Sequence, residues 1–85
     1  MQDTVTDRKA TKAEVLAKAS AIRRLAINLG LQRVRVRGDG ALVVRSEERG
    51  YRATNRLSSQ AGELLGVYVH VITDDVPGAA GATEL

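Results

Sequence analysis

The chain has 85 residues, 44% of them hydrophobic and 27% charged, with a formal net charge of +3, which fits one small globular domain and leaves no room for a second. Its apolar share is too high for a disordered tail, and no apolar run reaches the ~18–20 residues that cross a bilayer. It has no cysteine and one histidine, His70, which rules out disulfides and the common single-chain structural zinc sites.

Residues 1–10 are polar and aperiodic and read as a flexible lead, without a signal peptide, so a cytoplasmic location is expected. Thr11 followed by Glu14 has the form of a capping box, in which hydroxyl and carboxylate each satisfy a free amide at a helix start. Val15, Ala19, Ile22, Ala26 and Leu29 then recur at spacings of 3 and 4, and Gly30 supplies the stop. One amphipathic helix over 11–29 is expected.

At Leu31 the period changes to two. In Arg33-Val34-Arg35-Val36-Arg37 the valines face one side of a strand and the arginines the other. Gly38-Asp39-Gly40 offers a tight reversal, and residues 41–45 return as the second arm of a hairpin. A charged loop over 46–50 leads to a second apolar stripe, carried by Ala53, Leu57, Ala61, Leu64 and Leu65 and ended by Gly66, which predicts a helix over 52–65. Residues 67–73 form the clearest strand, with Val67, Val69 and Val71 on one face and Tyr68, His70 and Ile72 on the other. Asp74-Asp75-Val76-Pro77-Gly78 ends it with turn chemistry, and the Ala/Gly-rich stretch over 76–85 reads as a flexible tail. The expected fold is α+β, in the order α-β-β-α-β: a single domain over 11–75, with two helices on one face of a three-stranded sheet.

Charge is unevenly spread. Residues 1–30 hold six basic residues against three acids, residues 31–56 hold seven arginines against three acids, and residues 57–85 hold four acids and no Lys or Arg. A basic middle points to an anionic partner, nucleic acid or an acidic protein face, or else to a solvated surface. Dinucleotide, P-loop and zinc-protease signatures and a cysteine nucleophile are all absent. A general-base role for His70 lacks an orienting carboxylate, since Asp74 and Asp75 lie beyond its strand, and Ser58-Ser59 reads as exposed helix surface.

The most distinctive feature is the face opposite the valines: Arg33, Arg35 and Arg37 with Tyr68, His70 and Ile72, and Arg45 at its margin. Guanidinium groups bind phosphates and tyrosine stacks on bases, but the same residue types also favour protein interfaces and two-fold contacts. With no Phe or Trp and two tyrosines, one core of this size supplies only ~3–5 kcal/mol, so a homodimer or an obligate heteromer with an acidic protein partner is expected.

Residues 22–75 resemble the minimal nucleotidyltransferase-like domains found as the small partner in bacterial toxin–antitoxin pairs. The likeness is carried by the run from Ile22 to Leu31, by Val34-Arg35-Val36-Arg37-Gly38, and by Val69-His70-Val71-Ile72-Thr73 after a helix ending in Leu64-Leu65-Gly66. In that family a Gly-Ser pair follows the first strand, and Asp-x-Asp at the head of the next binds magnesium for nucleotidyl transfer. Here Gly38 precedes Asp39, the nearest match to Asp-x-Asp is Asp39-Gly40-Ala41, and the later-strand acid falls at His70. The resemblance thus implies a copy without catalytic residues, metal or cofactor: a non-enzymatic, antitoxin-like protein-binding subunit, with DNA or RNA binding through the arginine face as the second reading.

Overall fold

The structure, a computed structural model, describes residues 6–47, 51–76 and 81–85. It is an α+β fold with three helices and two sheets rather than two helices over three strands. In chain order the elements are β1 (Thr6–Lys9), α1 (Lys12–Ala17), α2 (Ala19–Asn28), β2 (Gln32–Val36), β3 (Leu42–Arg45), α3 (Arg52–Leu65), β4 (Val67–Tyr68), β5 (Val71–Thr73) and β6 (Thr83–Glu84). The larger sheet has the order β5-β3-β2-β6, with β3 antiparallel to β2 and parallel to β5. β1 and β4 form a separate parallel pair.

The first helix starts where the sequence places it. The Glu14 amide donates to Thr11 Oγ1 at 3.2 Å, and the Thr11 amide donates to Glu14 Oε1 at 2.9 Å. The expected single helix over 11–29 is broken at Lys18, whose φ of −119° and ψ of 27° separate α1 from α2. No Pro or Gly stands near the break to cause it. The stop at Gly30 follows the expectation: with φ +78° it lets the Leu31 amide reach back to the Ala26 carbonyl at 2.9 Å and its own amide reach Ile27 at 3.0 Å, a Schellman closure that satisfies two orphan carbonyls. α3 spans the expected residues and ends at Gly66, φ +77°.

Ile22, Leu42, Leu57, Val15, Val36, Val44 and Val69 are fully buried and draw the helices, β2, β3 and residue 69 into one core. Val34 and Val36 point into it, as their alternation requires. Leu64, counted in the apolar stripe of α3, is instead 38% exposed.

The strand expected over 67–73 is two strands with different partners: β4 pairs with β1, and β5 pairs with β3. Two further strands arise inside the stretches read as lead and tail. β1 lies beside β4, and the Ala10 amide donates to the Tyr68 carbonyl at 2.8 Å, burying Ala10. β6 pairs with β2, and the Leu85 amide donates to Val34 at 3.2 Å. Both satisfy backbone groups at an otherwise bare edge. The expected loop over 46–50 and the turn through Pro77-Gly78 fall partly outside the described residues, at 48–50 and 77–80.

The reversal at Gly38-Asp39-Gly40 closes with the Arg37 amide on the Ala41 carbonyl at 2.9 Å. Gly40 has φ +90°, and a Cβ there would lie 2.1 Å from the Ala10 carbonyl oxygen. Only glycine lets the N-terminal strand cross the hairpin tip this closely.

Candidate functional site

Register places the expected arginine face. Glu84, Arg35, Val43 and Ile72 stand in one cross-strand row, and Thr83, Val36, Leu42 and Val71 stand in the next row, on the core side. Val43 is fully buried yet lies outside the main core cluster, flanked across the sheet by Arg35 and Ile72. The register therefore places Arg35 in the row away from the core, but the arginines do not form a regular ladder. The register shifts between Gln32 and Arg35, and Arg33 has φ +52°, so it sits at an irregularity in β2.

Each of these arginines meets an acid of the same chain. Arg35 Nη2 donates to Asp74 Oδ2 at 2.9 Å and its Nε donates to the Arg33 carbonyl at 3.1 Å. Arg45 Nε approaches the same Asp74 oxygen at 3.6 Å. Arg37 grips Asp39 with two bonds, Nε to Oδ1 at 3.1 Å and Nη2 to Oδ2 at 2.6 Å. Arg33 lies 3.7 Å from Glu84 with both side chains more than half exposed, a distance and exposure at which an ion pair is worth little. The Arg35–Asp74 pair is different, since the two side chains are only 14% and 20% exposed.

Asp39 is held below the usual carboxylate range, first by the hydrogen bond from Arg37 and then by the Ala41 amide, which donates to its Oδ1 at 3.2 Å. Ala41 in turn sits beside His70, because the Leu42 amide donates to the His70 carbonyl at 2.8 Å. The three positions where the resembling family carries acids, 39, 41 and 70, thus come together at the heads of β3 and β5. They supply one carboxylate already engaged by arginine, a methyl group and an imidazole, which does not fit a magnesium ion. Among the described residues no three His, Cys, Asp or Glu side chains gather to hold a metal.

Tyr68 and His70 do meet, the phenol oxygen and His70 Nδ1 lying 3.2 Å apart. Ile72 is not continuous with them, since it belongs to β5 while Tyr68 belongs to β4. The neighbouring Ser58, expected as exposed surface, is half-buried and donates to the Val69 carbonyl at 2.5 Å; Ser59 is exposed.

Two features escaped the sequence. Asp74 was legible only as a turn residue, because its meeting with Arg35 and Arg45 depends on β5 lying parallel to β3, with Val44 opposite Thr73. The second is an open apolar groove between α2 and α3, lined by Ala21, Arg24, Leu25, Gln60, Glu63 and Leu64. Its signal was present in Leu64, which the sequence places in the apolar stripe of the second helix. Among the described residues no helix is long and apolar enough to cross a membrane. Comparison of the chain with protein-family models, with curated proteins and with solved structures finds no match.

Proposed function

We propose that this chain is a non-enzymatic protein-binding module, an antitoxin-like subunit built on a degenerate nucleotidyltransferase-like scaffold. The observation that carries the reading is the closure of two sheet-face arginines on the chain's own acids, Arg35 on Asp74 and Arg37 on Asp39. A phosphate backbone attracts arginines whose charge is uncompensated, and here it would have to compete with carboxylates already in place. An arginine–carboxylate surface of mixed sign around the half-buried Ile72 suits a protein interface better. The non-enzymatic part rests on the donor set at positions 39, 41 and 70, which offers a single carboxylate. The antiparallel β2–β3 pair with β5 parallel beside it supports the scaffold reading by bringing those three positions together.

Nucleic-acid binding stands second, favoured by a different observation. Arg52 and Arg56 lie one helical turn apart on α3, both exposed, beside Tyr51, which is 73% exposed.

The two readings separate in one set of measurements. Native mass spectrometry of the chain purified from its source is expected to show a protein partner in fixed stoichiometry. Fluorescence anisotropy with single-stranded and duplex oligonucleotides is expected to show weak binding that Arg35→Glu leaves unchanged. Tight oligonucleotide binding with a log–log salt slope that drops by roughly one unit for each of Arg52→Glu and Arg56→Glu overturns the protein-binding reading.

A further inference from the structure

We infer that the groove between α2 and α3 is closed by a second copy of this chain, in a dimer whose two-fold axis runs along the groove. This goes beyond the protein-binding reading, which concerns the sheet face, and names the occupant of a second surface.

The groove is apolar at its floor and charged at its rims. Leu25 and Ala21 come from α2 and Leu64 from α3. Leu64 is 38% exposed, and Leu16, at 46%, lies in a neighbouring depression that shares Ala21 and Arg24. Exposed leucines of this kind on an 85-residue chain without Phe or Trp are surface that association would remove from water.

Charge selects the occupant. Arg24 stands on the α2 rim and Glu63 on the α3 rim, and neither makes an ion pair with a described residue, whereas the sheet-face arginines all have acidic neighbours. The complementary surface is therefore an apolar strip with the opposite order of charges across it. The chain presents that surface itself. A two-fold axis along the groove lays each α2 over the other copy's α3, so Arg24 faces Glu63 of the partner subunit and the same pair forms again by symmetry. A two-fold axis across the groove would set α2 on α2 and Arg24 on Arg24, which like-charge repulsion disfavours. The leucines supply affinity in this arrangement, and the charges fix orientation.

The test is sedimentation velocity over a micromolar to high-micromolar series on the full chain, with circular dichroism to check folding. The parent is expected to dimerise. Arg24→Glu and Glu63→Arg each set two like-charge pairs in the interface and are expected to weaken the dimer about ten-fold or more, while the double variant restores it to within about three-fold of the parent. Leu64→Asp is expected to leave a folded monomer. A parent that stays monomeric throughout the series, or a double variant no better than either single one, overturns the inference. If the parent is monomeric and Leu64→Asp abolishes binding of a different, identified protein, the second-copy inference fails and the protein-binding reading stands. If the parent is monomeric and binds oligonucleotides with the steep salt slope described above, both fail.

Discussion

Asp74 and Arg35 are 39 residues apart in sequence and 2.9 Å apart in space, and the same carboxylate oxygen lies 3.6 Å from Arg45. One acid at the end of β5 is thus shared by two of the arginines that give the middle of the chain its positive charge, and it balances one of them.

Asp74→Asn is expected to have two effects of opposite sign. Stability should fall by about 1–2 kcal/mol, the range for a charge-assisted bond in a partly exposed pair, read from the urea midpoint at unchanged slope. Oligonucleotide affinity should rise, because two guanidinium groups lose their intramolecular partner. A variant that is destabilised but gains no affinity would show that this face does not meet phosphate even when its cations are released.

Gly40→Ala and Gly30→Ala form a matched pair at similar backbone angles, φ +90° and +78°. At Gly30 an added Cβ meets nothing within 4 Å, so only the left-handed strain applies, about 1–2 kcal/mol. At Gly40 the Cβ would lie 2.1 Å from the Ala10 carbonyl oxygen, so β1 must also move away. Thermal melts should rank Gly40→Ala clearly below Gly30→Ala, and hydrogen exchange should show loss of protection of the Ala10 amide in the Gly40 variant alone.

Acid should loosen the N-terminal helix before the core. Glu14 is held at about 2 against an ordinary 4.5, chiefly by the side-chain hydrogen bonds from Arg8 and then by the Thr11 amide. A carboxyl lowered in the folded state stabilises the fold above its unfolded value and loses that contribution as pH falls toward the folded one. The window is therefore below 4.5 and down toward 2. Asp39, lowered by Arg37, acts in the same direction. Helical chemical shifts over α1 should decay through this window, and Glu14→Gln should flatten the dependence.

The legible part of this fold is its local part. Thr11 with Glu14, Gly30 and Gly66 mark helix ends because the bonds they make lie within a few residues, and the alternation of Val34 and Val36 sets the core side of β2 by the same short-range geometry. β1 and β6 were not legible, since Thr6–Lys9 and Thr83–Glu84 carry no apolar alternation and become strands only against β4 and β2. The division of 67–73 has the same origin, because its two halves are captured by different strands far away in sequence. At the candidate site the arginines declared themselves by period, while their acids did not. Asp39 is a neighbour in the turn, but Asp74 reaches Arg35 only through a parallel pairing order that composition does not encode.

Leu57 and Leu64 separate the core from the groove within one helix. They stand seven residues apart on α3, two helical turns, yet Leu57 is fully buried and Leu64 is 38% exposed. Truncating Leu57 to Ala removes side-chain volume from a closed core, where relaxation is partial, and is expected to cost about 2–5 kcal/mol. On a chain of this size that is enough to unfold a large fraction at room temperature. Leu64→Ala deletes the same atoms from a surface already open to water, so the folded monomer should lose less than about 1 kcal/mol. If the second copy covers the groove, the loss should appear in the dimer instead, as melting that no longer rises with protein concentration. Denaturation of both variants at two protein concentrations decides between these assignments, and equal, concentration-independent losses would place Leu64 in the core rather than at an interface.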